Sequence, residues 1–258
     1  VREESAAESA AAASSAASPP APPLPLPALL EQMCPSGVLG NLLVLIGNGS
    51  AAPTPQGSVV LAEVLHILAV LANHSESFTE DVLKQGICDL LRQMVVSLDL
   101  AHAGPQMAQA NSNVLRVLAL VTSMLPAVQL TETGCDCEPQ RAALFKEKPA
   151  YLDALADAFA PMLLTIHEAS MDPCVQALCV SLLLTFMRAS RGNPEIVERS
   201  FEPAPLACFL ANLLLPGASR SQTLACLVIT SELLERHPAL YSLLFVRHGV
   251  VRAIHQLA

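Results

Sequence analysis

Tryptophan is absent from the 258 residues, and aromatic residues make up only 3% of the chain. The apolar half of the composition is mostly Ala and Leu, which lose little rotamer freedom in a helix. The β-branched and aromatic residues that fill a pleated sheet are less prominent. Helix is therefore the default expectation. Basic residues are also scarce, with 14 Lys and Arg against 23 Asp and Glu and a net charge of -9. A phosphate backbone needs a basic stripe, so nucleic acid is not an expected partner.

Long hydrophobic runs are missing as well. The longest, residues 38–46 and 64–72, fall short of the roughly 20 residues a membrane span needs, and no basic segment followed by an apolar core opens the chain. The expectation is a soluble protein of the cytoplasm, the nucleus or both, without a membrane partner. The first residue is Val1, not Met, so a piece of something longer is expected.

Catalytic and cofactor signatures are lacking too. Gly37, Gly40, Gly47 and Gly49 do not form a phosphate loop. Neither G-x-S-x-G nor H-E-x-x-H occurs. Of the eight Cys, Cys34, Cys88, Cys174, Cys179, Cys208 and Cys226 fall mostly among Leu, Ala and Val and read as small core residues in a reducing compartment. Cys135 and Cys137 are a close pair without a second Cys/His pair at metal spacing, so an acidic loop is expected there and no metal. No cofactor and no catalytic residue is expected of the chain itself. His66, alone in an apolar helix, reads as structural. His74 and His237 read as favourable helix C-terminal residues. Arg236, Arg247, His248 and Arg252 read as a solvated face that could receive an acidic segment.

What the chain does contain is organised by composition. Residues 1–27 are nearly all Ala, Ser, Pro and Glu and end in a proline-rich run, as expected of a disordered linker. Segments 47–58 and 131–139 read as surface loops. Elsewhere apolar residues recur at helical spacing, as in Leu61, Val64, Leu65, Leu68 and Leu71, or Leu178, Leu182, Thr185 and Phe186. Each such helix is short and strongly apolar, and must stack on neighbours.

An internal repeat shows how they stack. Shifting the chain by 163 positions lays 61–94 over 224–257 without a gap. Leu61 meets Leu224, Leu71 meets Leu234, His74 meets His237, Phe78 meets Tyr241, Gly86 meets Gly249 and Gln93 meets Gln256. The shared unit is a long helix, a turn, a short helix closed by Gly, and a third helix. A shift of 163 would hold four units of about 41 residues, the period of armadillo and HEAT repeats. Helices near 175–188 and 205–215 fit an intermediate copy. The fold class expected is all-α, an armadillo/HEAT-type right-handed solenoid of about five units over 28–258.

In armadillo solenoids the third helix of each unit lines a concave groove. The alignment sets Asp89, Arg92 and Gln93 over Arg252, His255 and Gln256, between apolar positions. Those six are the candidate binding residues.

The stretch Leu144-Phe145-Lys146-Glu147-Lys148-Pro149, continuing through Ala160-Pro161-Met162-Leu163 to Asp172-Pro173-Cys174-Val175, resembles the armadillo region of large HECT-type E3 ubiquitin ligases. The subgroup is that of ubiquitin-fusion degradation, which includes the plant Kaktus and the animal thyroid-receptor-interacting ligases. The closing Phe245-Val246-Arg247-His248-Gly249-Val250 is similar to that family's F-x-R-x-G-V turn. The resemblance covers roughly residues 59–258 and is strongest from 141 onward. It implies a substrate-recruiting arm whose partner is a protein, either a degradation substrate or a peptide signal. The thioester-forming Cys of such ligases lies in a C-terminal HECT domain, and none of the eight Cys stands in a matching context. The competing expectation is a non-catalytic armadillo adaptor of a transport or cytoskeletal complex. Importin-like cargo binding would call for a Trp and Asn ladder, and Trp is absent.

Overall fold

The computed structural model describes residues 37–51, 55–98, 107–131, 134–215 and 217–257. The expected linker 1–27 and Cys34 lie outside them. The described residues form thirteen α-helices, one short 3-10 turn and one β-hairpin, so the class is all-α with a small β insertion. In chain order the helices are α1 (Val38–Ala51), α2 (Pro55–His74), α3 (Glu76–Lys84), α4 (Ile87–Leu98) and α5 (Met107–Met124). The hairpin strands β1 (Val128–Thr131) and β2 (Gly134–Cys137) come next. They are followed by α6 (Pro139–Glu147), α7 (Pro149–Ala169), α8 (Pro173–Ala189), α9 (Glu195–Ser200), α10 (Pro203–Leu213), α11 (Arg220–Arg236), α12 (Pro238–His248) and α13 (Val250–Leu257).

Local chemistry sets many of these boundaries. Ser75 caps α3 by accepting from the Phe78 amide at 3.2 Å. Asp172 caps α8 through the Cys174 amide at 2.8 Å, with Pro173 at the first helical position, where its missing N–H costs nothing. Ser219 and Gln222 make a reciprocal capping box at the start of α11. Gly86 and Gly249 hold φ of 73° and 84°, a left-handed corner that a residue without Cβ adopts readily, and turn α3 into α4 and α12 into α13.

The long helices pack in series, α2 on α5, α5 on α8 and α8 on α11. They run parallel. The ends of α2 and α5 meet through Arg141, whose guanidinium donates to the carbonyls of Ala72 at 2.9 Å, Asn73 at 3.0 Å, Ser123 and Leu125. The ends of α8 and α11 meet through Arg236, which donates to the Met187 carbonyl at 2.5 Å. At the opposite edge Asn111, near the start of α5, accepts from the Ser170 hydroxyl, just before α8, at 3.0 Å. A second tier follows the same order: α1 packs on α4, α4 on α7 and α10 on α13, with the His167 ring of α7 set edge-on to Phe209 of α10 at 4.9 Å. The core lies between the tiers and is one continuous cluster from Leu39 to Ala253.

The two aligned segments have the same form. Each is a long helix, a short helix, a left-handed Gly and a third helix, and the pairs Phe78 and Tyr241, Val82 and Phe245, Ile87 and Val250 are buried in both. Several details differ from the sequence expectation. The long helices begin at residues 55, 107, 173 and 220, so a shift of 163 spans three steps and not four. The middle step is lengthened by the hairpin, α6 and a 21-residue α7. Segment 47–58 is largely helical, because α1 runs through Gly47 and Gly49 and Pro55 opens α2. Segment 131–139 carries the hairpin, with Val128 opposite Cys137. The run 173–192 is long and apolar enough to cross a membrane, at mean hydropathy 1.4, a feature the sequence reading missed; 56% of it is buried within the fold as α8.

Candidate binding surface

The turn at Gly86 sends α4 back along the core with Ile87, Cys88, Leu91, Met94 and Val95 inward. This leaves Asp89, Arg92 and Gln93 on one exposed stripe. The turn at Gly249 does the same for α13, where Val250 and Ala253 are buried and Arg252, His255 and Gln256 are exposed. All six candidates therefore project to solvent from the second tier. The structure does not bring the two triplets into one pocket. They sit on units separated by α7 and α10 in the packing order, whose own exposed polar residues include Thr165, Glu168 and Asn212.

Other residues moved. His66 is exposed on α2 and not buried. His237 does not rest on a helix end alone, since its Nδ1 lies 3.0 Å from Glu198 of α9. Arg236 does not join Arg247, His248 and Arg252 on a solvated face, because it is drawn into the interior by Glu232. Cys88, Cys179 and Cys226 are buried as expected, and burial pushes their thiols up to about 11, 12 and 12. Cys174 and Cys208 are exposed. Both lie on the outward stripe of apolar helices, which small size and apolar neighbours in sequence do not reveal.

Two buried polar centres stand at the C-terminal edge of the long helices, and both escaped the sequence reading. Arg141 is buried with helix carbonyls as its partners, which suits a cation because aligned helix dipoles leave partial negative charge at that end. A cleft of about 600 Å3 opens beside it, lined by Asn73, His74, Ser75, Glu76, Glu138 and Arg141. Glu232 is also buried and meets three guanidinium groups: Arg188 at 2.7 Å, Arg236 at 3.0 Å, and Arg191. Burial would raise its carboxyl, but the Arg191 hydrogen bond and the three charges outweigh that and hold it below the usual range. Arg236 stands four residues on from Glu232, the spacing of a helical ion pair. Both centres tie helix ends together, and neither presents an acid and base pair around an open reacting position.

Over 265 aligned positions the chain is 20% identical to the E3 ubiquitin-protein ligase UPL3 of Arabidopsis thaliana. The alignment takes in 90% of this chain and 14% of that ligase. The similarity supports a region related to an E3 ligase. No family model matches the chain, and no solved structure matches it.

Proposed function

We propose that the chain is an armadillo/HEAT-type solenoid segment and the protein-recruiting arm of a HECT-type ubiquitin ligase, acting where degradation substrates are met in the cytoplasm, the nucleus or both. The observation that carries this reading is the similarity to UPL3 over 90% of the chain, supported by the repeated three-helix units. Stacked units expose a long row of third helices, and such a row suits an extended protein segment better than a small molecule. Transfer of ubiquitin belongs, in this reading, to a catalytic domain elsewhere in the parent protein. The partner is a degradation substrate or its signal peptide, held by side chains that stabilise no core.

Calorimetric titration with a degradation-signal peptide tests it. Replacing Arg252 and His255 together with Ala should weaken binding by about 1 to 3 kcal/mol if they anchor the partner. The unfolding free energy, followed by thermal melts, should stay within about 0.5 kcal/mol of the parent's, as expected of surface sites. Unchanged affinity in the double variant would place the site elsewhere. Binding only to transport or cytoskeletal proteins would favour the adaptor.

A further inference from the structure

The two copies of the three-helix unit offer an internal comparison. Residues 163 apart occupy equivalent places, yet their burial differs by side: Ile67 and Val70 of α2 are exposed where Thr230 and Leu233 of α11 are buried in the fold, and on the opposite side the difference reverses. Leu83 is 7% exposed and its counterpart Val246 is 67% exposed; Leu61 is 6% against 44% for Leu224; Met94 is 2% against 48% for Leu257. Leu71 and Cys88 are likewise buried, while Leu234 and Val251 are exposed. In the inner copy α5 packs on α2 and α4, and α7 packs on α4. Among the described residues nothing packs in the corresponding places on α11 and α13. At one further position the inner joint uses an ion pair, Glu80 to Lys148 at 2.6 Å, where the outer unit carries the exposed Leu243.

We infer that the face formed by α11, α12 and α13 is a docking surface for one further three-helix unit of the same kind, seated as α5 and α7 are seated on α2 and α4. The occupant's chemistry follows from the inner joint. It is a long helix with a continuous apolar stripe, like Val114, Val117, Leu118 and Val121 of α5, all buried where that helix sits in the stack. An apolar face of this kind in water costs free energy in proportion to its area, and polar residues at the same positions would have avoided that cost. The inference rests on the repeat reading proposed above and not on the ligase reading, so failure of peptide binding would leave it standing.

The chain supplies its own probe. Leu257 aligns with Met94, so a second copy of residues 95–169 appended directly after Leu257 continues the register and presents the unit that covers the inner face. The extended chain should melt about 3 °C or more above the parent. Val246→Glu should abolish that gain while shifting the midpoint of the unextended chain by no more than about 1 °C. Hydrogen exchange gives a measurement independent of the fusion: in the unextended chain, amides of α13 should exchange about tenfold or more faster than the aligned amides of α4. An unchanged midpoint on extension, or equal protection of α4 and α13, would overturn the inference. So would sedimentation showing association with rising concentration that Val246→Glu removes, because the occupant would then be a second copy of the chain.

Discussion

Glu232 is buried against three guanidinium groups. Removing its charge leaves Arg188 and Arg236 turned inward without an anion, and an uncompensated buried charge is far more costly than a lost surface pair. Glu232→Gln should lower stability by about 3 kcal/mol in denaturant titrations. A change under 1 kcal/mol would mean that water reaches the cluster. His167 gives a pH dependence of opposite origin. Burial against Phe209 holds its imidazole below the ordinary 6.5, with Glu168 opposing weakly. The unfolded chain therefore takes up the proton first as pH falls. The stability contributed by the neutral ring is complete above 6.5 and is lost on acidification through that value. The melting midpoint should decline from pH 7.5 to 5.5, and His167→Phe should flatten that part of the decline. Glu80, lowered chiefly by its hydrogen bond to Lys148, acts in a separate window below its ordinary 4.5.

The corner glycines carry the repeat at the level of elements. Gly249 sits at φ 84° with nothing within 4 Å of where a Cβ would stand, so a substitution meets conformational strain and no clash. Gly249→Ala should cost about 1 kcal/mol by thermal melt, and a β-branched residue more. A neutral result would show that the corner relaxes.

These units were the most legible part of the sequence, because helical periodicity, a left-handed Gly and a gapless self-alignment all point the same way. Legibility failed where tertiary packing overrides local preference. Gly47, Gly49 and Pro55 look like a loop, but a Gly inside a helix costs only about 1 kcal/mol and a Pro at the first turn costs nothing, so α1 and α2 form around them. The hairpin at 128–137 was hidden because its second strand, Gly-Cys-Asp-Cys, has no strand-forming residue and takes its shape from pairing with Val128–Thr131.

Across the whole molecule, the candidate site was legible in the exposure of its residues and in their assignment to two units. Its six residues project outward from the third helices because Ile87, Leu91 and Met94 of α4, and Val250 and Ala253 of α13, take the inward face. The number of steps between the two units was not legible. It depends on the middle step, whose extra hairpin, α6 and long α7 have no counterpart in the self-alignment. Arg141 was illegible for a related reason: its partners Ala72 and Asn73 lie 69 and 68 residues away and are backbone atoms, which leave no mark on side-chain pattern.

The uneven placement of those ties along the stack has a mechanical meaning. Arg141 locks the C-terminal edge between α2 and α5, and Arg236 with Glu232 locks the same edge between α8 and α11. Between α5 and α8, Asn111 and Ser170 pin the opposite edge. The ties thus alternate from one edge of the stack to the other along its length, like stitches in a seam. A seam stitched on alternate edges resists splaying towards either side, so the long helices keep their parallel course from α2 to α11.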